Sequence, residues 1–247
     1  MSLFVVGCAS FKPDTSLPAT VIASPNYDLR HPTMVVIHYT SNDDAERSIE
    51  TLTSPVRKVS AHYLIDSHGR LFQLVPESQR AGHEGQSHWA GNSDLNSTSI
   101  GIELDNNGYE PYEQTQISTL VALVKDIQAR HRIKAMNVVG HSNVAPGRKG
   151  DPGPYFPWQR LAVSGIGIWC DDTSGTQVKD SVELNALLTG LGYDPKIPEK
   201  SRAAFRRHYL LDSNGSVSDE DALESKVAQC LLDQIASNPT SLVNFKD

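Results

Sequence analysis

The most constraining stretch of the chain is Val138-Val-Gly-His-Ser-Asn-Val-Ala-Pro-Gly-Arg-Lys-Gly-Asp-Pro-Gly-Pro-Tyr-Phe-Pro-Trp158. It opens as a short β-branched run and breaks at Gly140. The residues after that glycine are too rich in Gly and Pro to be helix or strand. The prolines fix φ and the glycines permit turns, so such a loop holds its shape. Three chemically capable side chains ride on it: His141, Lys149 and Asp151. The rest of the chain has to complete that site, present a substrate to it and anchor it.

A chain of 247 residues suffices for one large domain or two ordinary ones. With 38% hydrophobic and 21% charged residues it can bury a core. The net charge of −7 argues against nucleic acid, which asks for a basic patch. The acid excess is uneven: residues 1–165 carry 14 Lys+Arg and 16 Asp+Glu, residues 166–247 carry 8 and 13. The acidic part reads as a separate piece. Cys8, Cys170 and Cys230 are far apart with no CxxC pair, which disfavours a cysteine zinc site. No stretch approaches the roughly 18 apolar residues of a membrane span. Leu3-Phe-Val-Val-Gly-Cys8-Ala-Ser has two readings: the tail of a bacterial lipoprotein signal, with lipidation at Cys8, or an N-terminal strand with a buried Cys. Residues 9–25 lack periodicity and read as a tether.

Taken in order, Pro32–Thr40 predicts a buried strand with His38 at its C-terminal end, where α/β sheets put their ligands. Asp43–Leu52 predicts a helix capped by Asn42 or Asp43. Val59–Asp66 and Arg70–Val75 predict a hairpin turning at Ser67-His68-Gly69. Residues 76–98 read as a long loop with His83, His88 and Trp89. Thr98–Asp105 predicts a strand with Ile100, Ile102 and Leu104 on one face and Ser99, Gly101, Glu103 and Asp105 on the other. Glu113–His131 predicts a long amphipathic helix with Ile117, Leu120, Val121, Val124 and Ile127 in the core. Beyond a polar linker at 171–176, three short helices are expected at Ser181–Leu191, Glu199–Tyr209 and Asp219–Ile235, with a turn at Asp212-Ser-Asn-Gly. The fold class is α/β: a mixed central sheet flanked by helices, plus a small C-terminal three-helix domain.

Two imidazoles and a carboxylate, His38, His141 and Asp151, suit Zn²⁺ with three protein ligands and an open fourth position. Such an ion lowers the pKa of water towards about 7 and polarises a carbonyl. Nine histidines are present, and spacing alone does not single out these two. His62 reads either as a buried hydrogen-bonded histidine or as support behind a metal ligand. His83 is expected to wall a groove and touch substrate. Trp89 either stacks on a sugar or caps the core. Asp66, Asp105 and Glu110, with His31, His68, His131 and His208, read as solvated.

Several segments occur in one order: Val-Ile-His38-Tyr-Thr, Ser-Ala-His62-Tyr-Leu-Ile-Asp, Ala-Gly-His83, Ser-Ile-Gly-Ile-Glu103-Leu, Gly-His141-Ser-Asn-Val-Ala-Pro-Gly-Arg-Lys149-Gly-Asp151-Pro-Gly-Pro and Phe156-Pro-Trp158. Over about residues 28–165 this resembles the zinc N-acetylmuramoyl-L-alanine amidases of the type-2 amidase and peptidoglycan-recognition superfamily. The resemblance implies His38, His141 and Asp151 as zinc ligands, Glu103 as the general base that activates water, and Lys149 as the group that stabilises the oxyanion. Some branches place a Tyr just before the His of the His-aromatic-Leu-Ile strand. Here that residue is Ala61, which leaves proton transfer to Glu103. The implied reaction is hydrolysis of the amide joining muramic acid, intact or 1,6-anhydro, to the L-Ala of the stem peptide.

The resemblance extends to the ends of the chain. The C-terminal helices resemble the peptidoglycan-binding domain often fused to these enzymes; a packing appendage is the other reading. The implied domains are a lipoprotein-like start and tether at 1–25, a zinc amidase domain at 26–170 and the helical domain at 176–247. The implied setting is the outer-membrane lipoprotein branch facing the periplasm. The expected partners are peptidoglycan and its muropeptides, a membrane only through a lipid on Cys8, and no second copy of the chain. In an oxidising compartment Cys170 and Cys230 could be free or bonded. A non-catalytic peptidoglycan receptor on the same fold is the alternative, and metal content distinguishes the two. A zinc protease of another fold would need His-Glu-x-x-His, which the chain lacks.

Overall fold

The computed structural model describes residues 11–29, 32–42, 44–178, 183–210 and 221–237. Cys8, His31, Asp43 and the 212–215 turn lie outside these residues.

The strands are β1 (Ala19–Val21), β2 (Tyr27–Leu29), β3 (Met34–Tyr39), β4 (Tyr63–Ile65), β5 (Leu71–Gln73), β6 (Gln79–Ala81), β7 (Ser99–Leu104) and β8 (Val138–Gly140). The helices are α1 (Ala45–Thr53), α2 (Leu95–Thr98), α3 (Gln114–His131), α4 (His141–Val144), α5 (Trp158–Val163), α6 (Leu184–Leu191), α7 (Pro198–Tyr209) and α8 (Asp221–Ser237). A six-stranded sheet has the order β1-β5-β4-β7-β3-β8, and β2 pairs with β6 separately. Only the β4–β5 hairpin is antiparallel within the large sheet, so the sheet is mixed as expected.

Strand alternation assigns the two faces of this sheet. Val35 and Ile37 of β3 and Ile100, Ile102 and Leu104 of β7 join the core built with Ile117, Leu120, Leu123, Val124 and Ile127 of α3. Met34 and Val36 face the other way, into a core shared with Leu187, Leu188, Leu191, Ala204 and Phe205 of the C-terminal helices. Leu64 and Phe72 pack near α1 in a third cluster. With both faces covered, β3 reads as an unbroken apolar run. The parity that sends Met34 and Val36 away from α3 also sends His38 there, and the register sets His38 beside Glu103.

Three differences from the expected elements have local causes. The cap of α1 is Asp44, whose carboxylate accepts from the Glu46 N–H at 2.9 Å, where Asn42 was one expected cap. The 76–98 loop contains β6 and α2, each too short to show a period. The tether is, in its described part, partly sheet. Ala19-Thr-Val adds to β5 as a parallel edge strand. Asp14 pins the preceding segment by accepting from Gln73 Nε2 and the Glu77 N–H, each at 2.8 Å.

Glu77 organises a buried polar knot under that edge. It accepts from Tyr63 Oη at 2.7 Å, from His131 Nε2 at 2.6 Å and from the Arg130 guanidinium. His131 is therefore a paired residue, not a solvated one. Burial raises the Glu77 pKa, but Arg130, His131 and Tyr63 outweigh it and bring it down to about 2. A depressed carboxylate pKa stabilises the fold above its unfolded value, near 4.3, and that stability is lost as pH falls towards the folded value. Glu77→Ala is expected to cost about 3 kcal/mol, because Tyr63 and the partly exposed Arg130 lose their partner. Its Tm should also fall less than the parent's between pH 4 and pH 2, which thermal melts would check.

The C-terminal helices share an apolar core with one face of the sheet. Gly192 ends α6 at φ +116, where a Cβ would also stand 2.7 Å from the Trp89 ring. Only glycine meets both constraints. Cys170 and Cys230 form a disulfide that ties α8 to the segment after α5.

Candidate active site

Three ligand atoms converge where β3 ends and the 141–151 loop folds back. His38 Nδ1 lies 2.9 Å from His141 Nδ1 and 3.1 Å from Asp151 Oδ2, and His141 Nδ1 lies 3.0 Å from the same oxygen. The loop brings its own ends together: the Ser142 N–H donates to the Asp151 carbonyl at 2.8 Å. Tyr112 Oη donates to the Pro152 carbonyl at 2.6 Å, and Arg148 donates to the Gln86 carbonyl at 2.7 Å. The first residues of this loop form the single helical turn α4, where loop was expected. Asn143 Oδ1 accepting from the Gly140 N–H holds that turn closed.

The donor set fits a divalent cation. His141 Nε2 faces the Glu84 carbonyl at 3.1 Å, which places its proton outward and leaves Nδ1 bare. His38 Nε2 faces the Glu84 carboxylate at 3.4 Å. Two bare imidazole nitrogens and a carboxylate oxygen about 3 Å apart repel one another unless positive charge sits among them. The surrounding field is negative. Burial lowers the His38 pKa, but Asp151, Glu103 and Glu84 outweigh it and raise it to about 10. Burial raises the Asp151 pKa, yet His141 and His38 hold that carboxyl well below the usual range. Because a metal ligand must shed its proton, cation affinity should rise with pH.

His83 and Glu84 support this centre from behind. The Glu84 carboxylate is 2.9 Å from His83 Nδ1, and both side chains are fully enclosed. His83 Nε2 meets Ser99 Oγ at 3.3 Å, and its ring rests on Gly101, where a Cβ would lie 2.5 Å away. The imidazole of His83 is engaged at both nitrogens, and the residue also lines the active-site cleft. His38, His83 and Glu84 form a second group of possible ligands, in which Glu84 is buried and its carboxylate orients His38. His62 is a buried hydrogen-bonded histidine: Nε2 meets the Gln79 carbonyl and Nδ1 accepts from the Gly101 N–H, both at 3.0 Å. Sequence reasoning missed Glu84. Its one signal is its place directly after His83.

A cleft of about 400 Å³ exposes the site, lined by His38, Glu103, His141, Lys149 and Asp151 with residues of α1. Glu103 is largely buried, and its Oε2 has no hydrogen-bond partner. Burial raises its pKa to about 7, with Asp151 and Glu84 adding to the rise and His38 and Lys149 opposing it. A carboxylate poised there can take and return a proton near neutral pH. Lys149 stands exposed on the cleft wall. Trp89, by contrast, is core: it packs edge-to-face on Tyr193 at 5.0 Å and does not line the cleft. Asp66 and Asp105 are buried, and Asp66 shapes the hairpin turn by accepting from the His68 and Arg70 N–H groups. His208, also expected in solvent, is buried as well.

Comparisons with known proteins agree with this geometry. The family profile described as N-acetylmuramoyl-L-alanine amidase matches residues 28–154. The N-acetylmuramoyl-L-alanine amidase AmiD of Escherichia coli K12 is 42% identical over 234 residues, which span 81% of this chain and 82% of that protein. The structure of AmiD with the substrate anhydro-N-acetylmuramic acid-L-Ala-D-γ-Glu-L-Lys superposes with a TM-score of 0.68, covering 83% of this chain and 90% of that one at 40% identity. AmpDh3 from Pseudomonas aeruginosa superposes with a TM-score of 0.73 at 30% identity, covering 96% of this chain and 100% of that one. With His38, Glu103, His141 and Asp151 gathered in one cleft inside the matched region, the chain belongs to the N-acetylmuramoyl-L-alanine amidase family.

Proposed function

We propose that this protein hydrolyses the amide bond between N-acetylmuramic acid, or its 1,6-anhydro form, and the L-Ala of the peptidoglycan stem peptide, in cell-wall turnover. The observation that carries this reading is the triangle of His38, His141 and Asp151 ligand atoms beside Glu103 in an open cleft. AmiD and AmpDh3, both structurally alike over most of this chain, are described with anhydromuramic peptides bound.

His38, His141 and Asp151 would hold Zn²⁺, which acidifies water and polarises the carbonyl. Glu103 takes a proton from the attacking water and delivers one to the leaving L-Ala nitrogen. Lys149, on the cleft wall, offers positive charge to the carbonyl oxygen as it becomes an oxyanion. Glu84 fixes which nitrogen of His38 and of His141 carries the proton. No nucleophilic Ser or Cys is needed, and among the described residues no Cys lines the cleft. The full set of ligands beside Glu103 favours an enzyme over a receptor without catalysis. Incubation with purified muropeptides should release free stem peptide, read by mass spectrometry, and a chelator should stop it. Intact muropeptides after incubation with zinc would overturn the reading.

We also place the protein in the periplasm, anchored by a lipid on Cys8, with an amidase domain at 26–170 and the C-terminal helices as its companion, acting as a monomer. The Cys170–Cys230 disulfide supports an oxidising compartment. Labelling with an alkynyl fatty acid should mark the full-length precursor's product and not the Cys8→Ala variant.

A further inference from the structure

Two side chains from the C-terminal part end on the helical turn that begins with His141. Asn143 Nδ2 donates to Tyr193 Oη at 2.8 Å. Asn143 Oδ1 accepts from the Gly140 N–H at 2.8 Å and from His208 Nδ1 at 3.0 Å. All three side chains are buried, at 1%, 2% and 4% exposure for Asn143, Tyr193 and His208. The amide can sit only one way, because its oxygen faces two N–H groups and its nitrogen faces a hydroxyl. A second contact runs parallel. His208 stacks on Trp158 with centroids 4.0 Å apart. Trp158 borders Gly140, where a Cβ would lie 3.1 Å from Trp158 and 2.5 Å from Pro152, the neighbour of Asp151. None of Asn143, Trp158, Tyr193 and His208 lines the cleft.

We propose that Tyr193 and His208 are positioning residues for the metal centre: through Asn143 they hold the Gly140–His141 turn so that His141 Nδ1 stays aimed at His38 and Asp151. The C-terminal helices then help to build the active site from behind, whatever else they bind. A buried amide with three partners loses its orientation when one is removed, since the vacated group must find another. This inference rests on the reading of His38, His141 and Asp151 as metal ligands.

The test is Zn²⁺ affinity of the full-length chain, measured by competition with a chromophoric chelator, with KM and Tm recorded alongside. Tyr193→Phe removes one oxygen and keeps the ring. It is expected to weaken Zn²⁺ binding about tenfold, the lower end for partners behind a ligand, with KM unchanged. His208→Leu should do the same. His208→Asn, whose side-chain N–H can still reach Asn143, should restore most of the affinity. Leu232→Ala, which loosens α8 against Gly190 away from this network, should lower Tm and leave Zn²⁺ affinity intact. Wild-type affinity in both Tyr193→Phe and His208→Leu would overturn the proposal. So would affinity losses that simply track Tm, Leu232→Ala included. A wild-type chain that takes up no Zn²⁺ would overturn the metal reading itself, and this inference with it.

Discussion

His38→Ala, His141→Ala and Asp151→Ala each lose the metal and at least about 10³-fold of turnover. The magnitude follows from the several kcal/mol that a bound cation supplies to a developing oxyanion, at tenfold per 1.36 kcal/mol. The three substitutions should be close to equivalent, because the ligand atoms are mutually 2.9–3.1 Å apart and each would share the same ion. Elemental analysis of each purified variant, paired with turnover on a muropeptide, checks this. Turnover by metal-free Asp151→Ala would remove the assignment.

Glu103→Ala separates binding from chemistry. It should keep one metal per chain and a near-normal KM, and lose roughly 10²–10⁴-fold in kcat, the range for a positioned general base. The acid limb of the pH profile should vanish with it. A base works when ionised, so the rate rises with pH through its pKa. Burial sets that value at about 7 for Glu103, and a cation bound at the neighbouring ligands would pull it lower. The wild-type limb is therefore expected below pH 7. An unchanged kcat in Glu103→Ala would show that another group moves the proton.

Much of the site was legible because its residues sit at ends of strongly patterned strands. The apolar run before His38 and the alternation from Ile100 to Leu104 fixed the faces, and parity then placed His38 and Glu103 side by side. The long helix at 114–131 was legible for the same reason: its apolar spacing survives over 18 residues. Less legible were three-residue strands such as Ala19–Val21, which carry no period and owe their state to a neighbour's open edge. Asp105 and His208 were read as solvated and are buried for a different reason. Their burial depends on elements far away in sequence: Thr40 meets Asp105, and Asn143 and Trp158 meet His208. A polar residue reads as solvated until a distant partner satisfies it. His83 was found, and the fold adds that its two nitrogens meet Glu84 and Ser99 at the edge of the cleft.

The most direct test is a zinc titration of chelator-stripped enzyme, with amide cleavage of a muropeptide followed at each addition. Activity should be absent at the start, rise in proportion to added Zn²⁺ and saturate at one equivalent per chain. Glu103→Ala should bind the same single equivalent without turning over. Full cleavage by the stripped protein, or saturation unrelated to binding at His38, His141 and Asp151, would contradict the account.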